Sequence, residues 1–130
     1  MSDSAPAIVL GHGQIAQALV SAVELITGVP GRFIALSNDG LGTREIEEML
    51  GERVDATGAR VVFTDLPAGS CNFAACHLLR GRADIVVVTG VNLPALLHFA
   101  THSEPGAVEG AEQAAERGAA AMHLLRGKPA

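Results

Sequence analysis

A histidine between two glycines is the first feature of the sequence that could do chemistry. Residues 9 to 19 read VLGHGQIAQAL, so His12 follows a short β-rich run and precedes a helical pattern. Gly11 and Gly13 would let a bulky group of another molecule approach the imidazole closely. A helix beginning near Gln14 would offer free N–H groups and a positive dipole end to an anion beside the ring. The pattern indicates a reactive imidazole at a strand-to-helix turn.

The same glycines admit a second interpretation, a dinucleotide-binding site. Residues 11 to 16, GHGQIA, have the spacing of the G-x-G-x-x-A fingerprint. The acidic residue expected about 20 positions later is represented only by Asp39, which lies late, in the turn-like SNDG. The chain also has too few strands for the two mononucleotide halves of a Rossmann domain. We therefore favour the reactive imidazole.

An aspartate followed by a glycine–serine pair is the second candidate. Asp65 ends a β-rich run and is followed by LPAGS. Its carboxylate could accept a hydrogen bond from Nδ1–H of His12 and leave Nε2 free as the nucleophile, as the orienting member of a catalytic triad does. The alternative is a carboxylate that only caps its own turn. Gly69 and Ser70, at the start of the next helix, could form an anion-binding nest.

The remaining histidines and cysteines form weaker patterns. His98 and His102 have the i, i+4 spacing of metal ligands with Glu104 nearby, but two histidines without an assured third ligand make a poor zinc site. Cys71 and Cys76 lack the C-x-x-C spacing, and we interpret both thiols as small apolar residues. We therefore predict no metal and no cofactor.

Strands and helices alternate along the chain, which positions these candidates. The β-rich runs cover residues 7–10, 32–36, 59–64 and 83–90. Alternation implies right-handed βαβ units and an α/β fold, with an open, mostly parallel four-stranded sheet covered by helices on both faces. Open α/β sheets place their chemistry at the carboxyl edge. The polar residues that we expect to meet there are His12, Asn38, Asp39, Asp65, Ser70 and Asn92.

The helical patterns carry apolar stripes. The stripe of the first helix consists of Ile15, Leu19, Val23 and Ile26. Thr43 is expected to cap a second helix, and further helices are predicted over residues 71–80, 94–101 and 107–118. The segment 119–125, AAAMHLL, is ambiguous between helix and strand.

Length and composition favour a single domain over residues 1–130. Hydrophobic residues make up 48% and charged residues 18% of the chain, as in a folded globular protein. The net charge of −5 and the absence of a basic stripe argue against nucleic acid. With four Phe and neither Trp nor Tyr, a site that stacks sugars or bases is hard to build. Without a signal-peptide pattern or a long apolar run, we expect a cytoplasmic protein with no membrane insertion.

Three blocks of the sequence resemble the mannose-type enzyme IIA of the bacterial phosphoenolpyruvate-dependent sugar phosphotransferase system. AIVLGHG is similar to the first strand and its phosphorylated histidine, and VVFTDLPAGSCNFAA to the third strand, its terminal aspartate and the Gly-Ser loop. VVVTGVNLPALL, the most distinctive block, is similar to the fourth strand and the start of the next helix. The resemblance covers nearly the whole chain.

The resemblance implies a phosphocarrier that needs no cofactor. His12 would accept a phosphoryl group from phospho-HPr and pass it to the IIB component for sugar uptake. Asp65 would orient the imidazole, and Gly13, Gly69 and Ser70 would hold the phosphoryl group. Residues 119–125 would form a fifth, antiparallel strand exchanged with the partner in a homodimer, whereas the residue pattern alone leaves a terminal helix open.

The sequence departs from the family pattern after the aspartate, where D-x-x-G-G-S-P is usual. Leu66 stands where a threonine is frequent, Ala68 replaces the first glycine, Cys71 replaces the proline, and Asn72 comes one place early. Two other interpretations remain open. One is the phosphotransfer subunit of a dihydroxyacetone kinase system, although GVNLPALL favours the sugar-system branch. The other is a non-catalytic regulatory module phosphorylated at His12.

Overall fold

Strands and helices alternate as predicted in a computed structural model that describes residues 5–102 and 106–130. The strands are β1 (Ala7–Gly11), β2 (Phe33–Ser37), β3 (Val61–Thr64) and β4 (Val86–Val88). The helices are α1 (Ile15–Thr27), α2 (Thr43–Thr57), α3 (Ser70–Leu78), α4 (Leu93–Thr101) and α5 (Ala107–Ala120). The α/β class is confirmed, and β4 is the element that differs most from its predicted range.

The four strands form one parallel sheet in the order β2-β1-β3-β4. From β1 the chain crosses to one side of the sheet to make β2, and then to the other side to make β3. Strand order therefore reverses between β1 and β3. In open α/β sheets this switch point opens a crevice at the carboxyl ends of the strands, where ligands bind.

Both faces of the sheet are covered by helices, as predicted. Alternate side chains of the central strand β1 point to opposite faces, so Val9 packs with α1, α4 and α5, whereas Ile8 packs with α2 and α3. The first layer contains the rings of Phe33, Phe63 and Phe99, whose centroids lie 5.3–6.1 Å apart. The two apolar layers hold β1 and β3 rigidly side by side.

The apolar stripe expected for α1 was wrong in part, whereas β4 is covered on both faces. Val86 and Val88 pack against the first apolar layer and Val87 against the second, although all three side chains are only half-buried because β4 is an edge strand. In α1 the buried residues are Ala16, Val20 and Val23. Ile15 and Ile26 lie at the two ends of the helix with 42% and 60% of their surface exposed.

Two helix starts also differ from expectation. Gly42, not Thr43, is the N-cap of α2, and its N–H donates to Oε1 of Glu45 at 2.8 Å. Asn92 is the N-cap of α4, where its Oδ1 accepts the N–H of Ala95 at 3.1 Å. Its Nδ2 donates to the carbonyl of Gly118 at 2.9 Å, so the Asn92 side chain, although it follows the carboxyl end of β4, joins α4 to α5.

The C-terminal segment continues α5 to Ala120, two residues beyond the predicted end. Residues 122–130 form neither helix nor strand in the single chain, and the side chains of Met122, Leu124 and Leu125 are exposed. The exchanged fifth strand therefore stays a prediction. Within residues 5–102 and 106–130, none of the helices combines the length and hydrophobicity that a bilayer crossing needs.

Candidate functional site

His12 and Asp65 lie together at the switch point of the sheet. Leu10 of β1 is paired in register with Thr64 of β3, so the residues that follow these strand ends are neighbours. Oδ2 of Asp65 lies 2.9 Å from Nδ1 of His12 and accepts the backbone N–H of the same residue, also at 2.9 Å. The Asp65 side chain is 7% exposed and the His12 ring 39% exposed. The buried aspartate thus fixes the position of His12, and part of the ring remains accessible to solvent.

The protonation of this pair follows from the carboxylate. Burial raises the pKa of Asp65, but the hydrogen bonds from the His12 backbone and ring, together with the charge of the ring, outweigh burial and lower that pKa overall. An ionised carboxylate only accepts hydrogen bonds, so Nδ1 of His12 must carry the proton. In the uncharged ring, Nε2 is therefore the nitrogen with the free electron pair.

Two glycines make room for the pair. A Cβ on Gly11 would lie 2.6 Å from Cγ2 of Ile15 and 3.3 Å from the carboxyl group of Asp65, so a larger residue would displace Ile15 and crowd the aspartate. Gly69 has a φ of +97°, which favours glycine, and a Cβ there would lie 3.6 Å from Nε2 of His12. The loop before α3 therefore passes close to the free nitrogen.

The N-terminus of α3 begins beside Nε2. Gly69 is the N-cap of this helix and Ser70 its first residue. The first intrahelical bond runs from the Phe73 N–H to the Gly69 carbonyl at 2.9 Å, so the N–H groups of the preceding turn have no intrahelical acceptor. These groups and the helix dipole favour an anion next to Nε2. Gly69 and Ser70 thus lie where the sequence placed them.

The loop after β2 supports the His12 loop. The Gly13 N–H donates to Oδ1 of Asn38 at 3.1 Å, and the Gly13 carbonyl accepts the hydroxyl of Ser37 at 2.7 Å. Asn38 therefore reaches the site as expected. Asp39 is exposed, and its backbone N–H donates to Oγ of Ser37 at 3.1 Å. Because the N–H of Gly13 is already bonded, this glycine contributes backbone shape and not a free donor.

Two further residues support the loop after β3, and sequence reasoning assigned them no role. Thr64 is fully buried, and its hydroxyl lies 3.2 Å from the carbonyl of Leu66 and 3.3 Å from Oδ1 of Asn72. Nδ2 of Asn72 donates to the Pro67 carbonyl at 3.0 Å. The sequence pattern that could have identified this pair is a hydroxyl side chain at a strand end followed eight residues later by an amide side chain.

Cys71 also lies against the His12–Asp65 pair. One ligand atom from each of His12, Asp65 and Cys71 falls within 4.8 Å of the other two. Burial and the nearby charge of Asp65 raise the pKa of the Cys71 thiol to about 11. The second carboxylate oxygen of Asp65, Oδ1, is buried and has no hydrogen-bond partner. This cluster was not anticipated, because the sequence showed no ligand spacing for it.

The histidine pair considered as metal ligands forms a different arrangement. The rings of His98 and His102 stack at 4.0 Å with 13° between their planes, at the exposed end of α4. His98 Nε2 lies 3.5 Å from Oε1 of Gln113, and Nδ1 of His102 lies 3.1 Å from the His98 carbonyl. Glu104, the third candidate, lies outside the described residues.

The fold and site together define an α/β protein with an oriented imidazole at the switch point of a parallel sheet. The chain belongs to the EIIA-man family, whose model, described as the PTS system fructose IIA component, matches residues 7–116. The family predicted from the sequence is thereby confirmed, and the chain is a component of the phosphotransferase-system type. Among curated proteins, none matches the chain at a significant level.

Three solved structures with the same fold are components of the phosphotransferase system. The PTS IIA protein associated with the fucose utilization operon of Streptococcus pneumoniae is 21% identical, with a TM-score of 0.79 over 95% of this chain and 96% of that one. The mannose/sorbose-specific IIA subunit of Enterococcus faecalis is 17% identical, with a TM-score of 0.78 over 97% and 98%. The EIIA component of Streptococcus agalactiae is 21% identical, with a TM-score of 0.75 over 87% and 93%. At these identities the likeness establishes the fold.

Proposed function

We propose that this chain is a phosphohistidine carrier that receives a phosphoryl group from phospho-HPr on Nε2 of His12 and passes it to the IIB component during sugar uptake. The observation that carries the proposal is the 2.9 Å contact between Nδ1 of His12 and Oδ2 of Asp65. It fixes the tautomer in which Nε2 has a free electron pair, and it does so beside a helix N-terminus suited to an anion. The family supports a phosphotransferase role, and we propose that the chain performs it in the cytoplasm.

The transfer of the phosphoryl group to His12 requires no proton to leave the site. The electron pair on Nε2 of His12 attacks phosphorus while the N–P bond of the donor phosphohistidine breaks, and the donor nitrogen recovers that electron pair. The His12 ring then carries a phosphoryl group on Nε2 and a proton on Nδ1, so it becomes cationic. The buried carboxylate of Asp65 lies 2.9 Å from that proton and stabilises the charge. Onward transfer to IIB reverses these steps.

The phosphoryl oxygens need positioning and charge stabilisation more than a general base. In this proposal the free N–H groups at the start of α3 and the hydroxyl of Ser70 contact the oxygens, and Gly69 leaves space for them because a Cβ would intrude next to Nε2. Gly13 shapes the turn between β1 and α1. Leu66, 52% exposed, offers no hydroxyl at the position where the family often has one.

The test is phosphorylation from labelled phosphoenolpyruvate with enzyme I and HPr. Wild type should acquire an acid-labile, base-stable phosphate, and His12→Ala should acquire none. His98→Ala and His102→Ala are matched controls that should be labelled like wild type, because their rings lie at the exposed end of α4. Label that persists in His12→Ala refutes the proposal.

The protein that next accepts the phosphate from this chain distinguishes sugar transport from the two alternative functions. Transfer to a IIB component supports sugar transport, and transfer to a dihydroxyacetone kinase subunit supports that system instead. A stable phosphorylated chain that passes its phosphate to neither supports the regulatory module.

We also propose a homodimer in which the C-terminal segment pairs antiparallel with β4 of a second copy. The outer edge of β4 is unpaired in the described sheet, and an apolar groove runs beside it. An exposed edge of this kind is usually covered or paired. Met122 and Leu124, 84% and 76% exposed and two residues apart, would lie on one face of such a strand.

A further inference from the structure

The unanticipated cluster at the site contains the three ligand types that zinc prefers. It combines an imidazole nitrogen of His12, a carboxylate oxygen of Asp65 and the sulfur of Cys71, all within 4.8 Å of one another. The Asp65 side chain is 7% exposed, yet its Oδ1 has no hydrogen-bond partner. A buried carboxylate oxygen without a partner is costly, and a cation beside it would satisfy it.

We propose that His12, Asp65 and Cys71 form a binding site for a thiophilic divalent cation, Zn²⁺ in particular, which competes with phosphorylation of His12. Three protein ligands with a fourth position left for water are the usual number for an open zinc site. The thiolate and imidazole select Zn²⁺ over Mg²⁺ and Ca²⁺, which prefer oxygen ligands.

The spacing of the cluster is close to what the ion requires. Zinc–ligand bonds of about 2.0–2.3 Å in tetrahedral geometry place ligand atoms roughly 3.3–3.8 Å apart. The present upper limit of 4.8 Å therefore requires a contraction of about 1 Å. Cys71 is the second residue of α3, next to the loop 65–69, so in this proposal the contraction comes from a shift of this helix start.

Metal binding would change the chemistry of the ring. Nδ1 lies 2.9 Å from Oδ2 of Asp65, so we infer that a cation held by both residues takes the electron pair of Nδ1 and replaces the hydrogen bond between them. The ring proton must then move from Nδ1 to Nε2, while the Cys71 thiol releases its proton to solvent. A protonated Nε2 has no electron pair for phosphorus. The ion would block phosphoryl acceptance without covering the opening of the site.

Cobalt titration of the metal-free protein tests binding independently of phosphorylation. Co²⁺ stands in for Zn²⁺ and reports sulfur ligation through a thiolate-to-cobalt charge-transfer band. One equivalent of Co²⁺ should produce this band, Zn²⁺ should abolish it, and excess Mg²⁺ should leave it unchanged. Cys71→Ala should lose the band and weaken binding by more than about 10-fold. Cys76→Ala, which removes the exposed thiol, is the matched control and should bind like wild type.

The inhibitory part rests on the proposed function and has its own measurement. Equimolar Zn²⁺ should slow phosphorylation of wild type at least about 10-fold and leave Cys71→Ala active with the same donors. ¹⁵N spectra of the His12 ring should show the proton on Nε2 when Zn²⁺ is added. If the chain is not phosphorylated at all, the cobalt band still decides the metal site.

A charge-transfer band that persists in Cys71→Ala, or no band in wild type, overturns the proposal. Cys71 is fully buried, so Cys71→Ser of nearly equal volume is the second variant, and circular dichroism verifies that each variant is folded. Zinc inhibition that is equal in wild type and in a folded Cys71 variant also overturns it.

Discussion

Oδ2 of Asp65 accepts two hydrogen bonds from His12, one from the backbone N–H and one from Nδ1 of the ring, both at 2.9 Å. One oxygen atom therefore fixes the position of the loop and the orientation of its side chain together. A residue that only capped a turn would make the first bond without the second. We therefore expect that replacing the carboxylate affects both the position of the loop and the orientation of the ring.

Asp65→Asn should leave the fold intact and slow phosphoryl transfer by about 10- to 100-fold. When the amide turns its NH₂ group towards Nδ1, this nitrogen becomes an acceptor and the proton moves to Nε2, while the backbone N–H of His12 loses its acceptor. ¹⁵N spectra of the ring report this change of tautomer, and transfer kinetics report its cost. Transfer at the wild-type rate with the proton still on Nδ1 would leave Asp65 a turn former.

Gly11→Ala should reduce the free energy of unfolding by about 1–3 kcal/mol and also slow phosphorylation. The new Cβ would lie 2.6 Å from Cγ2 of Ile15 and 3.3 Å from the Asp65 carboxyl group, so it would displace Ile15 and crowd the aspartate. Denaturant titration and labelling kinetics measure the two effects.

Gly51→Ala is the matched control for that substitution. Gly51 lies within α2, and a Cβ on it would contact only a side-chain atom of Leu78, at 3.7 Å. Alanine is a better helix former than glycine, so we expect stability equal to wild type or higher by up to about 1 kcal/mol. If both substitutions have the same effect, the close packing at Gly11 is unimportant.

Alkaline pH should destabilise the metal-free protein through Cys71. The ordinary pKa of 9.0 is raised to about 11 by burial and by the charge of Asp65. Because the folded pKa is the higher one, the stabilising contribution is complete below pH 9 and is lost as the pH rises towards 11. The loss amounts to at most about 2–3 kcal/mol.

Unfolding titrations between these pH values measure the effect in the presence of a chelator. The chain has no tyrosine, and Lys128 is its only lysine, so few other groups titrate in this interval. Cys71→Ala should flatten the dependence on pH, whereas Cys76→Ala should retain it. A flat profile for wild type would contradict the prediction.

Deleting residues 122–130 should convert a dimer into a monomer, because the deletion removes the apolar residues proposed to lie along β4. Light scattering at micromolar concentration measures the mass. A shorter deletion, of residues 126–130, retains Met122, Leu124 and Leu125 and should remain dimeric. A monomeric full-length chain, or a dimer that survives the longer deletion, excludes the exchange.

The sequence predicted the position of a candidate residue well where the fold itself determines that position. His12 and Asp65 follow the ends of two parallel strands, and such ends meet at one edge of the sheet, so no knowledge of side-chain packing was needed. Asn92 also follows a strand but caps α4 and binds α5. The same polar residue suits both roles, and only the packing of the two helices decides between them.

Positions on helices were harder to predict because they depend on the rotation of each helix against the sheet. Ile15 and Ile26 have the right spacing for a core stripe, but they lie at the two ends of α1, and both are exposed. Cys71 was interpreted as an ordinary apolar residue. Its proximity to the His12–Asp65 pair arises from the start of α3 beside the β3 loop, which no spacing in the sequence reveals.

The two halves of the site belong to opposite layers of the molecule. His12 leads into α1, which packs on one face of the sheet, and Asp65 leads into α3, which packs on the other. A chain in which either helical layer has detached loses the hydrogen bond between them. If His12 accepts phosphate as we propose, only the fully folded chain can do so, and partly folded chains would not compete for the phosphate donor.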